Sequence, residues 1–478
     1  MKRQITILQL NDVHGYLNSH QELFYENSNL VYRECGGYAR IATQIKKIRE
    51  ESKNVLLLDC GDTFHGTFPV IDSKGEILIP ILNDLNFAAM TAHWDFAYGP
   101  KHLDYLLSKL NYPLLAANVY NKKSKQLVYP PVLIAEIDGL KIGIVGLACN
   151  IVDKVMPAFF SEGIYFTDGT AELPVYINQL RNENKVDIII LLSHNGFPQD
   201  VELIKHNKGV DVVLSAHTHN RLYKPFIVNN TIIIQSGCHG SFIGKLELII
   251  EENKIAYYEH SLIEVSKNII PDTVIQNKIN TALLPYTYLQ DKVGETLEPL
   301  NRGLSAECTM DNFLLESIKQ SVVADVYFSN GWRYGAPIAK GDICLNDLYN
   351  IVPMNAEVST VELKGSEIFE LIESNLENTF SIEPLHQMGG YIKRTLGLSV
   401  YFKSENPNNS RVQFIFINGI ELNPDKVYKA AFLTEQSVAK KFGINRKAAG
   451  INAVEAMQTF LKNNNPISIG LDKTFILI

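Results

Sequence analysis

Through the first half of the chain, short runs of consecutive apolar residues alternate with stretches whose apolar positions recur every three or four residues. The runs at 5–10, 55–59, 87–91, 114–117, 142–147, 186–193, 210–215 and 231–235 read as strands. Several are nearly continuous in Val, Ile and Leu, the mark of strands covered on both faces. Between them, residues 38–50, 103–110 and 171–182 carry helical spacing. This alternation predicts an α/β sandwich with a mixed central sheet. Residues 246–250 and 255–260, separated by a charged turn, predict a closing hairpin. The pattern then turns helical and polar, which places a helical connector at 269–293 after a first domain of 1–268. Residues 294–478 mix helices (311–321, 365–376) with strands (358–363, 412–417, 427–431) and predict a smaller α+β domain. Two domains also suit a chain of 478 residues, which is longer than one hydrophobic core usually serves.

Composition narrows the classes. Hydrophobic residues at 46% and charged residues at 20% describe a globular protein with ample core. Forty-four basic against 52 acidic residues give a net charge of −8, which argues against a nucleic-acid surface. A small anionic substrate is not excluded, because bound metal ions can supply local positive charge. The six cysteines are scattered without zinc-ribbon spacing and read as reduced core thiols. The first apolar run is too short for a signal-peptide core, and no stretch approaches the roughly 20 apolar residues of a membrane span. A cytoplasmic protein without a membrane partner is therefore expected.

The chemistry lies in where the His and Asp residues fall. Residues 5–10 run into Asp12 and His14, and 55–59 into Asp62. Residues 87–91 run into His93 and Asp95, 186–193 into His194, and 210–215 into His217 and His219. In open α/β sheets the ligand site lies outside the carboxyl ends of the strands, so residues spread over more than 200 positions are expected to converge. Asp and His together suit borderline divalent cations, with manganese or zinc favoured and iron also accommodated. Two carboxylates (Asp12, Asp62) and five imidazoles (His14, His93, His194, His217, His219) are too many for one catalytic ion and right for two, with Asp62 as the bridge. Each motif alone is weak; the shared placement at five strand ends carries the expectation. His65 and His239 lie close to these loops, whereas His20, His102, His206, His260 and His386 read as ordinary residues.

These residues resemble the 5′-nucleotidase family, a branch of the calcineurin-like metallophosphoesterases. The blocks stand here as Asn-Asp-Val-His-Gly (11–15), Gly-Asp-Thr-Phe-His-Gly-Thr (61–67), His-Trp-Asp-Phe-Ala-Tyr-Gly (93–99) and Ala-His-Thr-His (216–219), with Ser-His-Asn-Gly at 193–196. The resemblance continues through Ser329-Asn330-Gly331-Trp332-Arg333 and Val352-Pro353-Met354-Asn355, and so spans nearly the whole chain. It implies a four-layer-like metallophosphoesterase sandwich, two divalent ions, and a small phosphate or nucleotide substrate gripped by the C-terminal domain. Candidate substrate contacts there are Asn330, Trp332, Arg333, Tyr391 and Arg394: guanidinium groups match anions bidentately, and aromatic rings stack on bases. The competing reading makes Trp332 and Tyr391 core aromatics and Arg333 a helix cap.

The third block departs from the family pattern. The family has Gly-Asn-His-Glu-Phe-Asp, in which Asn binds metal and the His–Asp pair stabilises the transition state and leaving group. Aligned on Phe96 and Tyr98-Gly99, this chain puts His93 at the Asn position, Trp94 at the His position and Ala97 at the Asp position. His93 is then a metal ligand and the usual pair is absent; shifted by one residue, His93 instead becomes the catalytic, transition-state His, but Phe96 fills the Asp position and the pair is again incomplete. Asp95 becomes the candidate for protonating the leaving group, with a helix cap or surface acid as the plainer alternative. His-Trp-acid-Phe also resembles the sulfur-oxidation thiohydrolase branch of the superfamily. The leading expectation is a dinuclear phosphomonoesterase; a sulfate or thiosulfate hydrolase and a metal-bound binding protein with weakened catalysis are the alternatives.

Overall fold

The computed structural model describes residues 2–478, which divide into two compact units. One comprises Met1–His20 and Glu34–Leu284, the other Gln21–Arg33 and Pro285–Ile478. The division differs from the sequence expectation in two ways. The segment Gln21–Arg33, expected in the first domain, clusters with the second unit. The helix Thr273–Leu283 lies wholly in the expected connector, 269–293, yet it packs on Tyr38–Glu51 and Ile79–Leu85 within the first unit.

The first unit holds two large sheets where the sequence suggested one, beside a two-stranded pair of Val119–Asn121 with Ile164–Phe166. The first is ordered Lys254–Glu264, Phe242–Glu251, Arg3–Leu10, Val55–Asp59, Ala89–Met90. The second is ordered Phe226–Val228, Thr231–Ile234, Val212–Leu214, Ile188–Ser193, Leu140–Leu147, Val132–Ile137. Both are mixed, with parallel pairs among the strands that lead to the functional loops and antiparallel strands along at least one edge. A single buried cluster joins Ile5, Ile7, Leu56 and Leu58 of the first sheet to Ile142, Ile144, Ile188 and Ile190 of the second, so the two sheets face one another. This explains the continuous apolar runs, since helices cover the outer faces. Tyr38–Glu51, for instance, buries Tyr38, Ile41, Ile45 and Ile48 at helical spacing.

Register places the functional loops side by side. Leu10 pairs with Asp59 and Asp59 with Met90, so the chain leaves three neighbouring strands at one level. In the other sheet Leu192 pairs with Leu214 and Ser193 with Leu147. The strand expected at 114–117 is reduced to one bridge from Leu114 to Met90. Its backbone instead crosses the second sheet so closely that a Cβ on Gly146 would stand 2.2 Å from the Leu115 carbonyl oxygen.

The second unit contains a five-stranded and a four-stranded sheet, with Thr309–Ser321, Gly365–Phe380 and Ala453–Asn464 as its main helices. Val326, Phe328, Val361, Ile368, Leu371 and Val400 lie in its buried cluster. Among the described residues, no helix is long and apolar enough to cross a membrane.

Candidate metal centre

The loops leaving the strands are locked together before any side chain is considered. Asp12 N–H donates to the Gly61 carbonyl at 3.0 Å and His14 N–H to the Asp62 carbonyl at 2.8 Å. Asp12, His14, Asp62, His217 and His219 all hold φ between 52° and 70°. This left-handed region is uncommon for residues other than glycine, and such strain gathers where the surrounding structure over-determines a site. The turn it makes lets both members of each pair two residues apart, 12 and 14 or 217 and 219, face inward. Gly61 also holds positive φ, and a Cβ there would meet the Thr91 carbonyl at 2.9 Å and the His194 ring at 3.1 Å.

The side chains form two groups that share one carboxylate. Asp62, His93, His194 and His217 make the first; Asp12, His14, Asp62 and His219 make the second. Within each group the possible ligand atoms all lie within 4.8 Å of one another. His194 Nε2 stands 3.3 Å from Asp62 and 3.6 Å from Asp12, and His219 Nε2 is 3.3 Å from Asp12. His14 Nε2 lies 3.6 Å from Asp62, and His93 Nδ1 lies 3.3 Å from the same carboxylate. All seven metal-ligand candidates from the sequence are thus brought together.

The buried charges polarise the cluster: the carboxylates are lowered, while His93 and His194 are raised toward their protonated forms. Burial alone would raise the Asp62 carboxyl, but His93, His194 and His14 outweigh it and hold the group well below the usual carboxylate range. Asp12 is lowered in the same way, with His219 and His194 outweighing burial. Burial, against the pull of Asp62, pushes His14 down to about 3, which keeps its ring neutral and its lone pair available. His194 moves the other way: Asp62 and Asp12 overcome burial and lift it to about 9. Two buried carboxylates charged at neutral pH, faced by converging imidazoles, are a donor set that suits divalent cations.

Asp95 has a different role from the expected proton donor. It is buried, and each carboxylate oxygen accepts two backbone N–H groups: Oδ1 from Thr63 and Phe64 at 2.9 Å, Oδ2 from Asp62 at 3.0 Å and His93 at 3.1 Å. Oxygens engaged in this way have no path to a leaving group. Trp94 is nearly buried and its ring stacks on His65 at 4.5 Å, so the position where the resembling family has its transition-state His is filled by an aromatic pair. Burial pushes His65 down to about 3.

The residues near the centre that sequence left undecided are His65 and His239. The His65 carbonyl lies 3.2 Å from His14 Nδ1, and His239 N–H donates to the Asp12 carbonyl at 2.7 Å. His20, expected to be ordinary, lies beside Tyr16 and His239, at ring separations of 4.5 and 5.6 Å. Asn11 was missed as well: its side chain spans from Asp12 Oδ2 to the Gly237 carbonyl, 2.7 Å each, and orients the carboxylate. His102, His206, His260 and His386 have no part in either group.

In the second unit Arg394 contradicts the substrate-binding expectation. It is buried, and its Nε donates to Asp311 at 3.1 Å, Nη1 to the Ser305 carbonyl at 2.8 Å and Nη2 to the Leu304 carbonyl at 3.0 Å. A guanidinium committed on all three nitrogens is an internal strut. Arg333 is half-buried, bonds the Gly390 carbonyl at 2.9 Å and lies over the Tyr391 ring at 5.3 Å. Trp332 is buried with its Nε1 3.4 Å from Gln436 Oε1, and Tyr391 N–H pairs with the Gly331 carbonyl. Asn330 stands half-buried at the head of this segment.

A two-sheet sandwich with His and Asp side chains gathered at its strand ends, and one carboxylate common to two ligand groups, defines the metallophosphoesterase class. Residues 5–221 match the model of the calcineurin-like phosphoesterases, and residues 292–434 that of the 5′-nucleotidase C-terminal domain. Together these cover well over half of the chain, which belongs to the calcineurin-like phosphoesterases carrying a 5′-nucleotidase C-terminal domain and is a 5′-nucleotidase-like hydrolase of phosphate esters. It is 27% identical over 457 residues to the snake venom 5′-nucleotidase of Crotalus adamanteus, covering 86% of this chain and 75% of that protein. Its fold is similar to that of the Thermus thermophilus sulfate thiohydrolase SoxB, with a TM-score of 0.91 at 21% identity over 99% and 96% of the two chains. It is also similar to a 5′-nucleotidase precursor from Thermus thermophilus, with a TM-score of 0.87 at 21% identity over 100% and 99%.

Proposed function

We propose that the two ligand groups hold two divalent cations, manganese or zinc before iron, and that the enzyme hydrolyses phosphate monoesters of nucleotides or related small molecules. The observation that carries this reading is the sharing of Asp62 by both groups. A bound pair of such ions lowers the pKa of water and neutralises charge on the non-bridging phosphate oxygens. The chain's own part is to hold His93, His194 and His217 on one side of Asp62, and Asp12, His14 and His219 on the other. Neutral His14 and charged Asp12 and Asp62 are in the protonation states that ligation needs.

The leaving-group side differs from the resembling family. Trp94 and Ala97 occupy the positions of its His–Asp pair, and the oxygens of Asp95 are engaged. With no acid there, esters with good leaving groups are expected to be favoured. Steady-state rates on a series of aryl and alkyl phosphates with manganese test this: kcat/KM should fall steeply as the leaving-group pKa rises, and a flat series would contradict it.

The His-Trp-Asp-Phe sequence at 93–96 supports a second reading, hydrolysis of an S-sulfonated cysteine. Turnover of AMP against that of an S-sulfonated cysteine peptide, each with manganese, separates the two. Arg333 and Tyr391, beside Asn330 and Trp332, are proposed as the anion and ring contacts of the second unit. The six free cysteines support a reducing, cytoplasmic setting.

A further inference from the structure

Two of the ligand loops are joined by a reciprocal exchange of carboxylates. Asp95, on the loop after Ala89–Met90, takes the N–H groups of Asp62, Thr63 and Phe64 from the loop after Val55–Asp59. In return Asp62 Oδ1 accepts the Trp94 N–H at 2.7 Å. Asp95 also turns back onto its own loop through the His93 N–H. Each loop therefore carries an acid that is bonded to the backbone of the other. These are charge-assisted bonds in a buried setting, the strongest kind available to a neutral N–H.

The consequences fall on two ligands at once. Asp62 holds φ 58°, a conformation that an isolated Asp seldom keeps, and its N–H bond to Asp95 helps fix it there. The Trp94 N–H leaves Asp62 Oδ1 oriented and Oδ2 facing His194 and His14. His93 has its backbone pinned by the same Asp95 oxygen that holds Asp62. One buried carboxylate thus sets the spacing between the proposed bridging ligand and a ligand of one ion.

We infer that Asp95 is a positioning residue whose carboxylate clamps the Asp62 and His93 loops together and preorganises the centre for its cations. The inference rests on the proposed two-cation reading for its purpose, but the clamp is made entirely by the chain's own atoms. In Asp95→Asn the amide nitrogen cannot accept, so at least two of the four N–H groups lose their partner while the shape is kept.

Manganese binding to Asp95→Asn, followed by calorimetry, is expected to weaken about 10- to 100-fold, the usual scale for the loss of a group that orients metal ligands. Excess manganese should restore most of kcat with little change in KM. Unchanged manganese affinity would overturn the inference, and so would a kcat loss that excess manganese leaves untouched while one limb of the pH profile disappears. That second outcome would return Asp95 to the role of proton donor.

Hydrogen exchange on the wild-type protein gives a test that does not depend on the variant folding. The amides of Asp62, Thr63, Phe64 and His93 should exchange at least about 100-fold more slowly than in an unstructured peptide. Exchange at unprotected rates would overturn the clamp. Should the protein prove to hydrolyse no phosphate ester, the function reading fails while both clamp measurements still stand.

Discussion

The centre of the first unit and the Arg302–Asp311–Arg394 cluster of the second are both buried, both charged and both assembled from distant parts of the chain, yet they are built in opposite ways. In the second unit the acid is saturated by its partners. Arg302 donates from Nε and Nη2 to Asp311 Oδ1, at 3.1 and 2.9 Å, and to the Tyr334 and Ile351 carbonyls. Arg394 takes the other oxygen of Asp311 and two more carbonyls. Every guanidinium nitrogen there bonds at least one acceptor, and both Asp311 oxygens are taken by cations. In the first unit, imidazole and carboxylate atoms stand 3.3 to 3.6 Å apart around two points. Burial of charge alone therefore does not mark a functional site; lone pairs converging on a shared centre do.

Substitutions should separate the two clusters cleanly. The largest effect is expected at the shared carboxylate. Asp62→Ala should lower kcat/KM by at least about 10³-fold, the scale of losing a principal electrostatic contact, and should reduce bound manganese. Full activity in this variant would dissolve the contrast. Next comes Arg394→Ala, which should destabilise the second unit by about 3–5 kcal/mol, because Asp311 and two carbonyls lose a buried partner. Denaturant unfolding reads this, and the manganese content should stay unchanged.

A smaller effect concerns pH in the metal-free chain. His194 has a folded pKa raised from 6.5 to about 9 by Asp62 and Asp12 against burial. Its contribution to stability is therefore complete below pH 6.5 and is lost as pH rises through about 9. Thermal midpoints should fall across that window without manganese and lose this dependence with manganese bound, since a ligated ring carries no such proton. The smallest effect is expected at His206, an exposed residue paired with Glu202. His206→Ala should alter neither stability nor metal content measurably.

The Asp and His residues that the fold gathers were legible in the sequence because a strand end followed by Asp or His is a local pattern, and five such strand ends can be counted without long-range knowledge. What the pattern hides is partnership across the chain. Arg394 reads as an anion-binding guanidinium until Asp311, 83 positions away, is found to hold it. Asp95 reads as a proton donor to the leaving group until the backbone N–H groups of 62–64 are found on its oxygens. The apolar runs announced strands but not their division into two facing sheets, since a strand buried on both faces looks the same in either. Residues 114–117 carry a strand's composition, yet their close crossing at Gly146 leaves room for a single bridge. The left-handed backbone at Asp12, His14, Asp62, His217 and His219 was likewise invisible, although Asp and His tolerate it better than most residues do.

The account stands on a pair of ions bridged by Asp62. Elemental analysis of the wild-type protein, stripped with chelator and reconstituted with manganese, tests that most directly. Two ions per chain are predicted, falling to one or fewer in Asp62→Ala; a wild-type chain that retains none, or a variant that still holds both, would contradict it.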